Sequence, residues 1–139
     1  MSKEIADLLK YVKSEASEKA NDHLIFPLFK KVFSKDVFKK ESEASGADIY
    51  IEGRIIVELK TNHDDWCSGF FQALHYQKKS LNFSSLCVIS HNFIGLWKLN
   101  EIPDFAIDLY KKAESSKPAS EIGIKNSKSV NNGQKKEIL

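Results

Sequence analysis

The first third of the chain places its apolar residues at helical spacing. These positions recur three and four residues apart and then resume after a polar patch, and they are Ile5, Leu8, Leu9, Val12, Ala16, Ile25, Leu28, Phe29, Val32 and Phe33. The pattern predicts two helices over residues 3–33, or one helix that is kinked near Pro27.

The middle of the chain alternates between short apolar runs and one longer helical segment. The predicted strands span residues 37–43, 47–52, 54–60, 86–90 and 93–99. A helix is predicted over residues 66–80, where Asp64 and Asp65 can cap its amino terminus. A further helix is predicted from 104 to about 113, and Pro103 can open it.

This order of elements predicts an α/β fold. Three strands can form a meander, and the helix before the fourth strand indicates a crossover, so we expect a mixed central sheet of about five strands flanked by helices. The order is helix, three strands, helix, two strands, helix, over a domain of residues 1–114. Residues 115–139 are polar and poor in large apolar side chains, which predicts a disordered tail or a truncated linker.

Composition adds little about binding partners. The 139 residues suit a single domain, and 21 Lys and Arg against 19 Asp and Glu leave a net charge of only +2. No segment has the length or apolar content to span a bilayer, so we expect no membrane association and a cytoplasmic location. Cys67 and Cys87 lack paired metal-ligand spacing and are expected to be free, buried thiols.

The predicted hairpin GADIYIEGRIIVELK is unusual because it holds three charges among apolar residues. Alternation places Glu58 and Lys60 on one face of the second strand, and Asp48 begins the first strand. One interpretation is structural: Asp48 bonds a turn amide, and Glu58 and Lys60 form an ion pair on a wet edge. The other is chemical, because central strands accept ionisable groups only when something compensates them.

A divalent cation would compensate the two carboxylates. Oxygen ligands suit Mg²⁺, and under this interpretation Asp48, Glu58 and the backbone carbonyl of Leu59 are metal ligands. Lys60 would then hold the attacking water or help to deprotonate it. Both interpretations stay open on spacing alone, because Asp-x9-Glu-x-Lys is a loose pattern.

The helix predicted after the hairpin carries two further polar candidates. Its main apolar stripe is expected to lie on the sheet and consists of Trp66, Phe70, Ala73, Leu74 and Leu81. Gln72 and Tyr76 are one turn apart on a different flank. Taken alone, they are ordinary surface or boundary residues.

Taken together, these motifs resemble the PD-(D/E)xK nuclease superfamily, in particular its RecB-like branch with a Gln-x-x-x-Tyr helix. The segments KANDHLIFPLFKKVF, GADIYIEGRIIVELKT, DWxxGFFQALHYQK and FIGLWKLNEIP are similar to the amino-terminal nuclease region of restriction-modification enzymes that are fused to N6-adenine DNA methyltransferases. The resemblance covers about residues 18–104 and implies a restriction-endonuclease-like core.

The family resemblance also implies an activity and a set of partners. The activity is Mg²⁺-dependent cleavage of DNA, with Mn²⁺ able to substitute, and Asp48, Glu58 and Lys60 match the catalytic positions. Gln72 and Tyr76 match the accessory pair, and Glu18 is the candidate for an added acidic residue, with Glu15 as a second choice. A fused or separate N6-adenine methyltransferase with its target-recognition region is the implied partner.

The chain departs from the family pattern in two places. Ala47 replaces the Pro expected before Asp48, a substitution that the family tolerates. No methyltransferase motif or glycine-rich cofactor loop is present, so nothing in the sequence supports methyl transfer. The chain is therefore expected to be a nuclease module or a stand-alone relative. The alternative is a catalytically silent domain of the same fold that binds DNA or another protein.

The remaining His and aromatic residues give weaker signals. His63, Cys67, His75 and His91 lack an established zinc-ligand spacing. Trp66 and Trp97 are expected to be core or boundary aromatics.

Overall fold

The structure is a computed structural model that describes residues 38–40, 48–79, 81–91 and 93–139. The helices predicted over 3–33 therefore lie outside the described residues, as do Glu15, Glu18 and Ala47.

A mixed sheet forms the centre of the described fold, and its strands follow the chain order from edge to edge. The strands are β1 (Phe38–Lys40), β2 (Ile49–Ile51), β3 (Ile55–Leu59), β4 (Ser85–Ser90) and β5 (Phe93–Lys98). The first three strands are antiparallel neighbours, β3 and β4 are parallel, and β4 and β5 are antiparallel. The predicted α/β class, the meander and the crossover are confirmed.

The β2–β3 hairpin closes through a tight turn at Gly53. The Arg54 N–H donates to the Ile51 carbonyl at 3.0 Å, and Gly53 has φ 77°. A positive φ at the third turn position strongly favours glycine. This turn fixes the register in which Ile49 pairs with Val57.

Helix α1 (Trp66–His75) is the crossover between β3 and β4. A 3₁₀ turn over His63–Asp65 precedes it and another over Tyr76–Lys79 follows it. The predicted side-chain cap is wrong, because Asp65 occupies the cap position with φ −83° and ψ 2° and makes no capping hydrogen bond. A capping side chain needs an extended backbone to reach the first free amides, and the 3₁₀ turn removes that conformation.

Both faces of the sheet are buried at strands β2, β3 and β4. On one face, α1 packs Phe70, Phe71 and Leu74 into a cluster with Ile56 and Val88. The alternate strand positions point to the other face and are equally inaccessible: Ile49, Ile51, Val57, Leu59 and Ile89 are 0% exposed. A sheet covered on both faces explains why these strands are nearly continuous apolar runs.

Aromatic rings close the end of the cluster beside β5. Trp66 stacks on Phe93 and on Trp97, with ring centroids 5.5 and 6.3 Å apart. Trp66 is buried and Trp97 is half-buried. Both tryptophans are therefore core or boundary residues, as predicted.

The carboxyl-terminal segment differs from the prediction. After α2 (Asp104–Lys112), the residues expected to be disordered form α3 (Ala119–Ser129) and α4 (Asn132–Ile138). One narrow face of α3 and the turn after it is buried, at Ala119, Ile122, Gly123, Asn126 and Val130. Small residues at helical spacing are enough to dock α3, because this helix packs closely against α1.

Two polar contacts fix α4. Asn131 and Gln134 form a capping box, in which each side chain bonds the backbone N–H of the other residue. The Trp97 indole donates to the Ile138 carbonyl at 2.8 Å. Within the part of the chain that the structure describes, no helix is long and apolar enough to cross a membrane.

Candidate functional site

Glu58 lies in the middle of the sheet, on the third of its strands. It pairs with Val88 of β4 and is 2% exposed. Alternation along β3 places Glu58 and Lys60 on the same face as Ile56, which packs in the α1 cluster. Both charges therefore point to the side of the sheet that carries α1.

Asp48 reaches the same region from the segment that leads into β2. Its Oδ2 atom accepts a hydrogen bond from the Leu59 N–H at 2.8 Å. The contact joins the start of one strand to the end of its neighbour, between residues whose positions the β2–β3 register fixes. The two carboxylates of the hairpin are therefore brought close by the turn at Gly53 and by strand pairing.

Lys60 and Gln72 connect the strand to the helix. The Lys60 Nζ donates to Gln72 Oε1 at 2.7 Å, and the Gln72 amide nitrogen lies 3.5 Å from the Tyr76 hydroxyl. The second distance is at the limit of a hydrogen bond, so the first is the stronger contact. Gln72 on α1 and Tyr76 in the 3₁₀ turn after it therefore continue the row of polar groups that begins at the Lys60 ammonium.

Gln72 and Tyr76 are much less accessible than their position on the helix predicts. They are 8% and 3% exposed, so the interpretation of these two as ordinary surface residues is wrong. The helix is covered by the sheet on one side and by α3 on another, and every residue of α1 except Ser68 is buried. Because two sides of the helix are covered, neither Gln72 nor Tyr76 lies on a solvent-exposed face.

The charges of Glu58 and Asp48 both act on the Tyr76 hydroxyl. Burial raises the pKa of the Tyr76 hydroxyl, and the charges of Glu58 and Asp48 raise it further. The hydrogen bond to Gln72 acts in the opposite direction. Tyr76 therefore stays protonated at neutral pH and can serve only as a neutral hydroxyl.

Gly69 is part of the site, and periodicity alone does not reveal it. A Cβ placed on Gly69 would lie 3.2 Å from Lys60 Cγ and 3.0 Å from Val88 Cγ1. The aliphatic part of the Lys60 side chain therefore packs against α1 at Gly69, where the helix has no side chain. The sequence signal was a glycine inside the predicted helix, three residues before Gln72.

The donor chemistry of the site fits a hard divalent cation. Asp48 and Glu58 are close enough for both to act on the Tyr76 hydroxyl, and their combined negative potential favours a cation. Carboxylate and carbonyl oxygens are the ligands that Mg²⁺ takes. Among the described residues, no group of three or more His, Cys, Asp or Glu side chains could hold a metal ion, so Asp48 and Glu58 alone would leave most of the coordination to carbonyl oxygens and water.

The cysteines are not candidates for a nucleophile. Cys67 and Cys87 are free of disulfide bonds and buried, as predicted. Burial raises the pKa of the Cys67 thiol to about 11 and that of the Cys87 thiol to about 12. The reactive thiolate is therefore scarce at neutral pH.

Comparison of the chain with protein-family models, with curated proteins and with solved structures gives no match.

Proposed function

We propose that the chain is a metal-dependent DNA endonuclease module that hydrolyses phosphodiester bonds and forms the cleavage part of a restriction-modification system. The observation that carries this proposal is the convergence of five side chains from three elements. They are Asp48 before β2, Glu58 and Lys60 on β3 and its end, and Gln72 and Tyr76 on α1 and its end.

Each residue has a distinct role in this proposal. Asp48, Glu58 and the Leu59 carbonyl would hold Mg²⁺, or Mn²⁺ in its place. A bound metal would supply Lewis-acid stabilisation of the phosphate and a more acidic water. The Lys60 ammonium, which donates a hydrogen bond to Gln72, would orient the attacking water.

DNA is the proposed substrate, and recognition of its sequence is assigned to another region. A net charge of +2 over the chain provides little attraction for phosphate. We therefore expect weak, strongly salt-sensitive DNA binding and slow or undetectable nicking by this chain alone, without sequence preference. A fused or separate N6-adenine methyltransferase with its target-recognition region would raise the local concentration of the cleavage site at its target.

The second candidate function is a catalytically silent domain that binds DNA or a methyltransferase. The burial of the site favours it, because Glu58, Gln72 and Tyr76 are only 2–8% exposed and a phosphodiester would have to reach them. The interpretation that placed these charges on a wet edge is wrong for Glu58, which is 2% exposed on a central strand, so a silent domain would have to compensate a buried charged cluster by internal contacts.

Metal titration separates the two functions. A nuclease site should raise the unfolding temperature on addition of MgCl₂ or MnCl₂, by the equivalent of about 2.7 kcal/mol at a metal concentration near one hundred times Kd. Glu58→Gln should remove this shift, and Asp64→Asn, which changes an exposed aspartate of the adjacent 3₁₀ turn, should retain it. Metal-dependent nicking of plasmid DNA that Glu58→Gln abolishes would support the endonuclease. An absent metal shift together with absent nicking would support the silent domain.

A further inference from the structure

Helices α1 and α3 cross at a point where no side chain separates them. A Cβ placed on Gly123 of α3 would lie 2.5 Å from the Ser68 carbonyl oxygen, 2.9 Å from Gln72 Cβ and 3.1 Å from the Gln72 nitrogen. Two of these atoms are backbone and cannot rotate away. Gly123 is therefore required for α3 to rest directly on the turn of α1 that carries Gln72.

The segment that leads into α3 is attached to the end of α1. Lys78 Nζ donates to the Lys111 carbonyl at 2.9 Å and also to the Ala113 carbonyl, and Lys79 Nζ donates to the Ser115 carbonyl at 2.7 Å. Ammonium groups that bond backbone carbonyls are charge-assisted and directional. These contacts fix the start of the carboxyl-terminal segment next to the helix that it covers.

Gln72 consequently lies between two constraints. On one side α3 contacts its Cβ and backbone at Gly123, and on the other its carboxamide accepts from the Lys60 ammonium at 2.7 Å. The Lys60 side chain is itself held against α1 at Gly69. A displacement of Gln72 would therefore move the oxygen on which the ammonium rests.

We infer that α3 is a positioning element of the candidate site, which holds Gln72 and through it the Lys60 ammonium, with Gly123 as the contact residue. The contacts at Gly123 and Lys60 position Gln72 whatever the protein does, and the consequence for cleavage rests on the proposed function. The segment that the sequence predicts to be a disordered tail thus helps to position the Lys60 side chain.

The test compares two glycine-to-alanine variants of the full chain. Gly123→Ala places a methyl group against α1, whereas at Gly133 of α4 the nearest atom to a new Cβ is Asn131 Oδ1 at 3.4 Å, an ordinary contact. Alanine favours helix over glycine at both positions, so only the contact distinguishes the variants. Gln72→Ala removes the acceptor and serves as the positive control.

The readout is the reactivity of individual lysines towards trace acetic anhydride, measured by peptide mass spectrometry. Loss of one charge-assisted hydrogen bond should raise the labelling of Lys60 about five-fold in Gly123→Ala and in Gln72→Ala. Gly133→Ala should match the wild type at Lys60. Exposed Lys98 and Lys125 should label equally in all four proteins, which normalises the amount of reagent, and an unchanged far-ultraviolet circular dichroism spectrum shows that no general unfolding has occurred.

Two results would overturn the inference. One is a lowered unfolding temperature in Gly123→Ala with Lys60 labelling unchanged, which would make α3 merely structural. The other is equal labelling of Lys60 in Gln72→Ala and wild type. The Mn²⁺-induced rise in unfolding temperature and plasmid nicking are measured in parallel. A labelling change in a protein that shows neither keeps the positioning role and rejects the nuclease. Metal-dependent nicking without the labelling change keeps the nuclease and rejects the positioning role.

Discussion

The Oδ2 atom of Asp48 lies 2.8 Å from the backbone nitrogen of Leu59 and accepts its hydrogen bond. This contact gives a proposed metal ligand a structural role in the hairpin as well. A carboxylate that accepts from a backbone N–H is held in place before any cation binds, so its position needs no rearrangement on binding. The two roles of Asp48 can be separated by choosing the substitution.

We predict opposite behaviour for Asp48→Asn and Asp48→Ala in the absence of metal. Asparagine keeps an oxygen for the Leu59 N–H and removes a charge near Glu58, so the free energy of unfolding should be retained or slightly raised. Alanine leaves the amide without this acceptor and should lower the free energy of unfolding by about 1 to 3 kcal/mol. Urea unfolding with EDTA present measures both values.

Metal binding should respond to both Asp48 variants in the same direction. Loss of one of two carboxylates should largely remove the Mn²⁺-induced rise in unfolding temperature, whichever residue replaces Asp48. An undiminished Mn²⁺ shift in Asp48→Asn would rule out Asp48 as a ligand.

Lys60→Ala is predicted to affect cleavage much more than folding or metal binding. The change removes the ammonium that Gln72 positions, and nicking of DNA should become nearly undetectable while the Mn²⁺ shift persists. Lys98→Ala, which removes an exposed lysine at the end of β5, is the control. Cleavage near the wild-type rate in Lys60→Ala would remove Lys60 from the mechanism.

The docking of α3 can be tested with two isoleucines of the same helix. Ile122 is 3% exposed and Ile124 is 51% exposed. Ile122→Ala should lower the free energy of unfolding by about 2 to 5 kcal/mol, because it leaves a cavity at the packed face. Ile124→Ala should change it by no more than about 0.5 kcal/mol. Equal effects in urea unfolding would mean that α3 is not docked in solution.

His75 is predicted to make stability depend on pH. It is 1% exposed, and burial lowers its pKa; the Lys117 backbone acts in the opposite direction, and the charges of Lys79 and Lys78 lower the pKa further. Because the folded pKa lies below the unfolded value of about 6.5, the unfolded state binds more protons between the two values. The stabilisation is therefore complete above about pH 6.5 and is lost as the pH falls through the folded pKa.

Thermal unfolding of His75→Gln tests this linkage. From about pH 7 to about pH 5, the unfolding temperature of the wild type should fall more steeply than that of His75→Gln. His63→Gln, at an exposed position, should follow the wild type. Parallel curves for wild type and His75→Gln would show that His75 does not titrate differently on folding.

The two thiols should be protected in the folded protein. With pKa values of about 11 for Cys67 and about 12 for Cys87, both should react with iodoacetamide at pH 8 at least about a hundredfold more slowly than in urea. Mass spectrometry after timed quenching gives the two rates separately. A native thiol that reacts at the unfolded rate would show that its side chain opens to solvent.

Sequence patterns alone determined those features that depend on the geometry of one element. A strand has a side-chain period of two, so the positions of Glu58 and Lys60 fix their common face before any partner is known. The glycine at position 53 predicts a turn with positive φ. This turn sets the pairing of β3 with β2, the strand that Asp48 precedes. The strands, the crossover helix and the hairpin that brings the charges together were therefore predictable.

Only the tertiary structure decided which faces are covered. Periodicity showed Gln72 and Tyr76 off the main apolar stripe of α1, but it could not show that α3 lies over that helix. The few apolar residues of α3, such as Ile122, cannot stabilise a helix alone, because isolated short helices are marginal in water. The helix is stabilised only when these residues pack against α1, where Gly123 allows close contact. Burial depends on the partner surface, which no local pattern in the chain records.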